Sequence, residues 1–402
     1  MSKKIDTLKE LYPEDLFGYT QKLTDGEVEV LAELREALEK HLGPVIAESW
    51  NNAEFPFDEF YKVVEEVHIM NDPRLFENHD EKYKAREHYL MALYYELARF
   101  DASVATFYTV HGGLGFNTFL LGGDKRQVEE FAPKLTSFEW QTCFALTEPD
   151  HGSDIAGGLA TTAERKGDEW ILNGEKRWIG GSDTADVVPV FARDVEDNQI
   201  KCFIIRKGAE GYNAEPIPNK VSLRPIRNGH ITIDNVKVPE ADRLQNINSF
   251  KDVSRILAYT RSDVAHIATG MTAGAFNAAL EYTTDRKQFD KPVASYQLVQ
   301  EKLARMQSNV VAALGYSSRI ADMQTEEEAK MINSSLAKMT NALNLRDTVS
   351  LAREVCGGNG ITLDSKVARF FADAESIYTY EGTHEINALI VGRAITGLGA
   401  FV

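Results

Sequence analysis

The sequence Phe144-Ala-Leu-Thr-Glu-Pro-Asp-His-Gly-Ser-Asp154 lies where helical patterning gives way to β structure. Before it, apolar residues recur at helical spacing and predict helices over 24–42, 83–100 and 104–121. The first helix begins with a capping box, Thr24-x-x-Glu27, and ends at Gly43-Pro44. After it, short segments rich in β-branched residues and separated by turn signals predict strands over 169–173, 187–192, 200–205 and 230–233.

The β pattern ends near residue 250, and the remainder of the chain is helical in pattern. Helices are predicted over 262–286 and 297–323, and a third from the capping box Thr325-x-x-Glu328 to just before Gly357-Gly358. Helices this long need packing partners along much of their length. The sequence therefore predicts an α+β protein with an N-terminal helical domain (1–139), a central antiparallel β-barrel or sheet domain (140–250) and a C-terminal four-helix bundle (251–402).

Composition narrows the class of function. The formal net charge of −17 disfavours non-specific binding to nucleic acid or to an anionic membrane surface. The N-terminus lacks the apolar core of a signal peptide, and no stretch approaches the roughly 20 apolar residues that span a bilayer. The last residues do not resemble a peroxisomal Ser-Lys-Leu signal. We therefore expect a cytoplasmic protein that binds neither nucleic acid nor membrane.

Common cofactor and metal motifs are absent from the sequence. No G-x-G-x-x-G follows a strand, no G-x-x-x-x-G-K-[ST] occurs, and His384-Glu385 is not part of H-E-x-x-H. The three cysteines show no C-x-x-C spacing, so neither a zinc site nor a disulfide framework is expected. The sequence predicts no metal site.

A second segment, 377–387, reads Ile-Tyr-Thr-Tyr-Glu-Gly-Thr-His-Glu-Ile-Asn and holds one carboxylate, Glu381, between tyrosines and Gly382-Thr383. Aromatic neighbours desolvate a carboxylate and raise its pKa, which suits a general base. A glycine lets backbone approach a ligand closely. A helix that starts at a capping Thr383 would give the same pattern, and taken alone the segment does not decide between the two.

Three further segments are equally ambiguous by themselves. In the run 176–182, Trp178 is either a core residue before a loop or a residue beside a ligand. The run 285–289 places cations at a helix end, for dipole complementation or for a phosphate. The run 354–360 is a helix C-cap or a backbone cradle for phosphate.

Taken together and in this order, the segments resemble the acyl-CoA dehydrogenase family of flavoproteins from about residue 83 to 401. The strongest elements are Leu-Thr-Glu-Pro-x-x-Gly-Ser-Asp at 146–154 and Tyr-Glu-Gly-Thr at 380–383. Within the family, the ending 377–387 followed by Gly392-Arg-Ala-Ile-Thr-Gly is most similar to glutaryl-CoA dehydrogenases and plant short-chain acyl-CoA oxidases. The resemblance implies an FAD-dependent oxidoreductase.

The resemblance also implies a reaction. Glu381 is expected to remove the pro-R α-proton of an acyl-CoA while the β-hydride passes to flavin N5, which gives a trans-2-enoyl-CoA. The enolate oxygen needs preorganised donors, which in the family are the base's own backbone N–H and a flavin ribityl hydroxyl. Relatives that carry the base on another helix have it just before the counterpart of Arg261. That position is Thr260 here, which favours Glu381. Electrons are expected to pass to an electron-transfer flavoprotein.

Family members supply expectations for the individual binding positions. The flavin ring and ribityl chain are expected at Phe144, Leu146, Thr147, Ser153, Trp178, Ile179 and Gly180. The pyrophosphate and adenine end is expected at Arg286, Phe289, Gln297, Glu354, Val355, Cys356, Gly357 and Gly358. Several of these reach a neighbouring subunit's FAD in the family, which implies a homotetramer. Thr383, Glu385 and Phe401 would complete the cofactor site, and Ser153, Arg261 and Gly382 would contact substrate.

The substrate expectation depends on one departure from the resemblance. Glutaryl-CoA dehydrogenases hold the distal carboxylate with an arginine, and the matching position here is Ala105. A buried, unpaired carboxylate would cost several kcal/mol, so a neutral short- to medium-chain acyl-CoA is favoured over glutaryl-CoA. Two alternatives stay open: an oxidase that reoxidises its flavin with O₂, and a non-catalytic binding protein on the same fold.

Overall fold

The protein is described by a computed structural model that covers residues 2–77 and 79–399, apart from the side chain of Ser2. The chain divides into two compact units. The first, here called the helical unit, comprises Met1–Thr106, Val221–Pro225 and Arg261–Val402. The second, here called the β unit, comprises Phe107–Lys220 and Ile226–Thr260. Within the described residues, no helix is both long enough and apolar enough to cross a membrane.

Helices occupy most of the chain before residue 160. They are α1 Ser2–Leu11, α2 Asp25–Ala37, α3 Ile46–Asn52, α4 Phe57–Val67, α5 Glu87–Phe100, α6 Ala102–Tyr108, α7 Phe116–Gly122, α8 Lys125–Thr136 and α9 Ile155–Gly158. Two π-helical segments, Leu38–Leu42 and Thr109–Gly115, extend α2 and join α6 to α7. Short 3₁₀ turns are formed by Tyr19–Lys22 and Pro73–Phe76.

The helix predictions in this part of the chain are largely confirmed. The Thr24 side chain accepts a hydrogen bond from the backbone N–H of Glu27, and the Glu27 carboxylate accepts one from the backbone N–H of Thr24, so the predicted capping box is formed. The helix predicted over 83–100 begins four residues later, at Glu87. The helix predicted over 104–121 is interrupted by the second π segment, a feature that often marks a functional region.

The β unit contains one six-stranded sheet. Its strands are β1 Thr162–Lys166, β2 Glu169–Gly180, β3 Val187–Asp194, β4 Ile200–Arg206, β5 Tyr212–Pro216 and β6 Asn228–Pro239, in the spatial order β4-β3-β1-β2-β6-β5. Buried side chains on its strands form a core that includes Trp170, Leu172, Val190, Phe203 and Ile231. The four predicted strands are present, whereas β1 and β5 were not predicted.

The prediction of a purely antiparallel unit is wrong, because β1 pairs with β3 in parallel. Thr162 lies opposite Arg193, and Ala163 opposite Asp194. The remaining pairs, β1–β2, β2–β6, β3–β4 and β5–β6, are antiparallel. The sheet is therefore mixed, and the predicted barrel is not confirmed.

After the sheet and a 3₁₀ turn at Glu240–Asp242, the chain is again helical. The helices are α10 Phe250–Asp285, α11 Gln297–Thr325, α12 Met331–Val355, α13 Lys366–Thr379 and α14 His384–Thr396. A hairpin of β7 Lys287–Gln288 and β8 Lys291–Pro292, followed by the 3₁₀ turn Val293–Ser295, joins α10 to α11, and the 3₁₀ turn Gly357–Ile361 follows α12.

Three details of the C-terminal prediction change. The first helix starts at Phe250 and not at 262. The capping box at Thr325 is wrong, because Thr325 is the last residue of α11 and its hydroxyl donates to the carbonyl of Ala321 at 2.8 Å. The described residues after 249 form five helices, one more than the four-helix bundle that was expected.

Helices α5 and α10 of the helical unit approach each other closely through glycine. A Cβ atom at Gly270 would lie 2.3 Å from the carbonyl oxygen of Tyr95, and one at Gly274 would lie 2.5 Å from that of Arg99. Neither position could carry a side chain without moving backbone. This approach brings residues near the start of α10 beside α5, where part of the candidate site is formed.

Candidate active site

Glu381 lies in the short connection between α13 and α14, here called the base loop (residues 380–383). Its φ angle is 55° and that of Gly382 is 85°, so two successive residues adopt the left-handed region. This conformation is unfavourable for a glutamate and persists only where the surrounding structure holds it. Thr383 caps α14 by accepting a hydrogen bond from the backbone N–H of Ile386 at 3.2 Å. The capping interpretation of this segment is therefore also confirmed.

The Glu381 carboxylate is held without a direct partner. Its Oε2 atom is buried and accepts no hydrogen bond among residues 2–77 and 79–399. Burial raises the pKa of Glu381, and the positive charges of Arg261 and Lys338 act against that rise. Its backbone N–H donates no hydrogen bond within the described part of the chain. The loop thus offers both a basic oxygen and a backbone donor.

Arg261 of α10 faces the base loop. Its side chain is buried, and a Cβ atom at Gly382 would lie 3.4 Å from its Nη2. Its Nη1 lies 3.1 Å from Met331 Sδ and 3.4 Å from Ser335 Oγ, and its Nε is buried without a partner in the described structure. Arg261 and Glu381 are not among the ion pairs within 4.0 Å that the described residues form. The arginine therefore acts on the carboxylate through space and also fixes the position of α12.

Two residues that the sequence analysis missed secure the base loop. Lys338 of α12 is fully buried and donates to the carbonyl oxygens of Tyr378 at 2.8 Å and Gly382 at 2.9 Å. Asn387 of α14 donates to the carbonyls of Gly382 at 2.8 Å and Thr383 at 3.0 Å. One sequence signal was available for the lysine. It stands at helical spacing within a run of small and apolar α12 residues that are buried.

Further polar groups of the helical unit surround the base loop. Tyr94 of α5 donates to Asp263 Oδ2 at 2.9 Å, and burial raises the pKa of Asp263 well above its usual value. The Tyr380 hydroxyl lies 3.4 Å from Thr106 Oγ1, and burial also raises its pKa. These residues were not predicted either, because α5 and the start of α10 meet only in the folded structure.

The β unit carries the segment 144–154 along one side of the sheet. The Ala145 N–H donates to the Pro189 carbonyl at 3.1 Å, and the Thr147 carbonyl accepts from the Arg177 N–H at 2.8 Å. The backbone N–H groups of Leu146 and Thr147 donate no hydrogen bond within residues 2–77 and 79–399. The ring of Phe144 packs on Phe191, with ring centroids 4.9 Å apart. Two backbone donors of a fixed segment are thus available to a ligand.

Trp178 lies at a bulge in β2. The pairing of β2 with β6 shifts between Arg177 and Ile179, and Trp178 has a φ angle of 67°. Its indole is 52% exposed although its neighbours Ile179 and Gly180 are buried. Bulges commonly re-aim a side chain beside a functional site. The structure therefore presents a large aromatic face from an otherwise buried stretch of strand.

A buried ion pair lies beneath these two segments. Lys176 Nζ donates to Glu148 Oε1 at 2.8 Å and to the Leu146 carbonyl at 3.0 Å. Glu148 also accepts from the N–H groups of Ala160 and Thr161 at 2.6 and 2.9 Å. Although burial acts to raise it, the pKa of Glu148 is lowered by Lys176 and these donors. The pair fixes β2 to the segment 146–148, and the sequence analysis missed it.

The residues predicted for the pyrophosphate and adenine form a separate group in the helical unit. Arg286 and Phe289 lie in the exposed connection between α10 and α11, Gln297 begins α11, and Glu354 and Val355 end α12. Two contacts bring these stretches together: Lys302 pairs with Glu354 at 2.8 Å, and Asn359 donates to Tyr282 at 2.9 Å. Cys356 is buried at the C-cap of α12, and Gly357 and Gly358 are exposed.

The other predicted positions are distributed as follows. Ser153 and Glu385 are exposed, the first in the β unit and the second in α14. Phe401 lies outside the described residues. The structure thus brings together Glu381, Gly382, Thr383 and Arg261 in the helical unit, and the flavin-ring positions in the β unit.

Comparison with known proteins identifies the class that this fold and these sites define. Family models for the acyl-CoA dehydrogenase N-terminal, middle and C-terminal domains match residues 24–139, 143–236 and 250–396. An acyl-CoA dehydrogenase of Bacillus subtilis (strain 168) is 32% identical over 313 residues, 77% of this chain and 82% of that protein. The chain therefore belongs to the acyl-CoA dehydrogenase family, and the predicted resemblance is confirmed.

Solved structures agree with this assignment. A glutaryl-CoA dehydrogenase from Mycobacterium smegmatis in complex with FADH2 is 30% identical, with a TM-score of 0.88 over 97% of this chain and 99% of that one. Butyryl-CoA dehydrogenase from Megasphaera elsdenii is 26% identical, with a TM-score of 0.86 over 93% and 99%. Acyl-CoA dehydrogenases are FAD enzymes, so the protein is a flavin-dependent oxidoreductase of acyl-CoA thioesters.

Proposed function

We propose that the protein oxidises a neutral short- to medium-chain acyl-CoA to the trans-2-enoyl-CoA, with Glu381 as the catalytic base. The observation that carries this proposal is the state of the Glu381 carboxylate. It has a buried oxygen without a hydrogen bond, and burial raises its pKa while Arg261 and Lys338 keep the anion accessible. A surface acid or a structural ion pair would show the opposite: solvent contact or a committed partner.

The chemistry follows from the two groups of the base loop. Glu381 takes the pro-R α-proton, and the electrons of that C–H bond form the new double bond as the β-hydrogen leaves with its electron pair. FAD, when bound, supplies the acceptor for that hydride. The unengaged N–H of Glu381 is the donor for the thioester oxygen, where negative charge develops as the α-proton is removed. Electrons then leave to an electron-transfer flavoprotein.

The β unit fits the flavin ring. The free N–H groups of Leu146 and Thr147 are donors for ring heteroatoms, and the exposed Trp178 indole offers an aromatic face. We assign to the same contact Phe144, Ile179, Gly180 and Ser153, and Thr383 stays a predicted cofactor position. The Lys176–Glu148 pair holds the segment 146–148 in place without contacting the ring.

The pyrophosphate and adenine group supports a homotetramer. Lys338 contacts the base loop, and Val355 ends the same helix 17 positions later, about 25 Å along its axis at 1.5 Å per residue. Phe289 is 88% exposed in this group. A group at this distance and with this exposure suits the cofactor of a neighbouring subunit, as the resemblance implies. The cytoplasmic location and a role in fatty acid β-oxidation stay predictions.

The substrate proposal depends on α5, α6 and α13. Ala105 is fully buried at the position where glutaryl-CoA dehydrogenases carry an arginine. Arg369, a buried cation that also contacts this part of the chain, donates to Asp101 at 3.1 Å and is therefore committed. A second carboxylate at the far end of the substrate would lack a partner from these residues. A neutral acyl chain is favoured for this reason.

Anaerobic titration of the purified protein with saturated acyl-CoAs of graded length, and with glutaryl-CoA, tests the proposal. The visible flavin band is expected to bleach with neutral chains and not with glutaryl-CoA. Bleaching by glutaryl-CoA alone would overturn the substrate assignment, and a colourless protein that takes up no FAD would overturn the enzyme assignment. Readmission of air distinguishes the acceptors, because rapid recovery of the band would identify an oxidase.

A further inference from the structure

We infer that Lys338 is the positioning residue of the catalytic base: its ammonium group holds the two peptide groups on either side of Glu381 and faces the carboxylate with positive charge. This inference deepens the proposed function and rests on it. It concerns a residue of α12 whose hydrogen bonds go to the backbone carbonyls of Tyr378 and Gly382, on either side of the base. Lys338 therefore acts through Glu381.

The hydrogen bonds of Lys338 close the base loop. Tyr378 lies in the last turn of α13, and Gly382 immediately follows the base. By donating to both carbonyls, at 2.8 and 2.9 Å, Nζ ties the end of α13 to the start of α14. Asn387 makes a second tie, to Gly382 and Thr383, but does not reach Tyr378. Lys338 is the group that spans Glu381.

This closure accounts for the backbone conformation of the base. Glu381 adopts φ 55°, which a glutamate leaves readily unless its neighbours are fixed. Fixing the carbonyls of residues 378 and 382 restricts the dihedrals between them. The same restraint sets the direction of the Glu381 side chain and of its N–H, both of which must meet the substrate within a few tenths of an ångström.

The charge of Lys338 has no direct counter-ion. Lys338 is 0% exposed and forms no ion pair within 4.0 Å among the described residues. Burial lowers its pKa to about 8, Glu381 and Glu385 act to raise it, and Arg261 acts to lower it. The charged groups that act on it are Arg261 of α10, Glu381 of the base loop and Glu385 of α14. Glu381 is the acidic residue of the base loop, so the positive charge of Lys338 acts on its carboxylate.

Removal of the positive charge of Lys338 should shift the pKa of Glu381 in a defined direction. A nearby cation favours the carboxylate over the carboxylic acid. Replacing Lys338 by a neutral residue therefore raises the pKa of Glu381, and proton abstraction then requires a higher pH. The loss of two N–H donors also loosens the loop, which lowers the maximal rate. The two effects can be measured separately. The change in the Glu381 pKa moves the pH dependence of the rate, whereas the loosened loop lowers the maximal rate.

The test compares the holoenzymes of wild type, Lys338→Met, Lys338→Arg and Lys366→Met. Lys366 is a half-exposed lysine that pairs with Glu39 at 3.5 Å and serves as the matched control. A 3-thiaacyl-CoA has no β-hydrogen, so exchange of its α-protons with D₂O, followed by ¹H NMR, reports base action alone. Amide hydrogen exchange of peptides covering 377–387 reports the closure of the loop independently of turnover.

In Lys338→Met we expect the plateau of α-proton exchange to fall about ten- to a hundredfold and its acid limb to move up by about one pH unit. Amide exchange over 377–387 is expected to rise. Lys338→Arg should restore the acid limb, and Lys366→Met should match wild type. If Lys338→Met does not yield folded holoenzyme, Lys338→Gln, which keeps an amide NH₂ donor group without a charge, should still move the acid limb to higher pH.

Wild-type plateau and acid limb in a folded Lys338→Met or Lys338→Gln enzyme would overturn the inference. An enzyme in which Glu381→Gln exchanges α-protons as fast as wild type would overturn the proposed base instead. The two failures are therefore distinguished by the variant in which they occur.

Discussion

Each unit of the protein contains a buried lysine that supports a segment of a candidate site. The two lysines differ in whether a carboxylate is paired with them. In the β unit, Lys176 donates to the Leu146 carbonyl and is paired with Glu148 at 2.8 Å. In the helical unit, Lys338 donates to two carbonyls and has no carboxylate within 4.0 Å among the described residues. Burial lowers the pKa of both to about 8.

The difference indicates two uses of the same side chain. The charge of Lys176 is balanced by the adjacent Glu148, so the pair acts as a structural tie to the segment 146–148. The charge of Lys338 is left to act on Glu381, the proposed base, whose ionisation the proposed reaction requires. Removal of the paired lysine would leave a buried carboxylate without its cation, whereas removal of the unpaired lysine would leave no carboxylate that was in contact with it.

The largest stability effect is expected at the paired lysine. Lys176→Met leaves Glu148 buried without its cation and should lower the free energy of unfolding by about 3–5 kcal/mol. The exposed lysine of the same unit, Lys207, pairs with Asp186 at 3.4 Å, and Lys207→Met should cost no more than about 1 kcal/mol. Chemical denaturation compares the two. Equal losses would show that the Lys176–Glu148 pair is not a structural tie.

A double-mutant cycle sharpens this comparison. Lys176→Met together with Glu148→Gln should cost less than the sum of the single changes, with an interaction of about 1–3 kcal/mol. For Lys338→Met and Glu381→Gln, the stability interaction should reach about 1.4 kcal/mol where Glu381 is ionised, which corresponds to the one-unit shift in its pKa, and should vanish at lower pH where Glu381 is protonated. A Lys338–Glu381 interaction that is independent of pH would remove the distinction drawn between the two lysines.

The pH dependence of the free energy of unfolding tests how much stability is lost by burying the Glu381 carboxylate without a partner. Because the pKa of Glu381 is raised by burial, the folded protein binds a proton more tightly than the unfolded chain, and stability is lost as pH rises through the folded pKa. Glu381→Gln removes this loss. Its thermal midpoint should therefore improve relative to wild type between pH 5 and pH 8, and a difference that is independent of pH would contradict the raised pKa.

The sequence predicted some parts of the two candidate sites and not others. The motifs around Glu381 and Thr147 identified the class of enzyme. Sites that use backbone groups need glycine, threonine and proline at fixed positions, and such residues form local motifs that can be recognised in a sequence. The lysines themselves were missed. Each stands at a buried position of its element's period, but only tertiary contacts with Glu148, or with Tyr378 and Gly382, explain its burial.

Local patterns also misled where a tertiary partner decided the outcome. Thr325-x-x-Glu328 has the form of a capping box, yet α11 continues through Thr325, whose hydroxyl bonds back to Ala321. The parallel pairing of β1 with β3 joins residues about 30 positions apart and has no local signal. The bulge that exposes Trp178 was likewise not predicted, because it depends on the register between β2 and β6.

The smallest effect is expected at Gly180. A Cβ atom there would lie 3.2 Å from Val110 Cγ2, so Gly180→Ser requires only a slight shift of a side chain and should cost less than about 1 kcal/mol. The added hydroxyl should be seen as a shift of the visible flavin spectrum with FAD retained. An unchanged spectrum would place Gly180 away from the flavin and weaken the assignment of the β-unit segment.

The central claim is that Glu381 is the base, and rapid-mixing measurement of flavin reduction tests it most directly. Anaerobic mixing of a neutral acyl-CoA with wild type and with Glu381→Gln isolates the step that needs the base. The Glu381→Gln enzyme is expected to keep its yellow FAD and to be reduced about 10²- to 10⁴-fold more slowly than wild type. Reduction of the Glu381→Gln enzyme at the wild-type rate would contradict the claim.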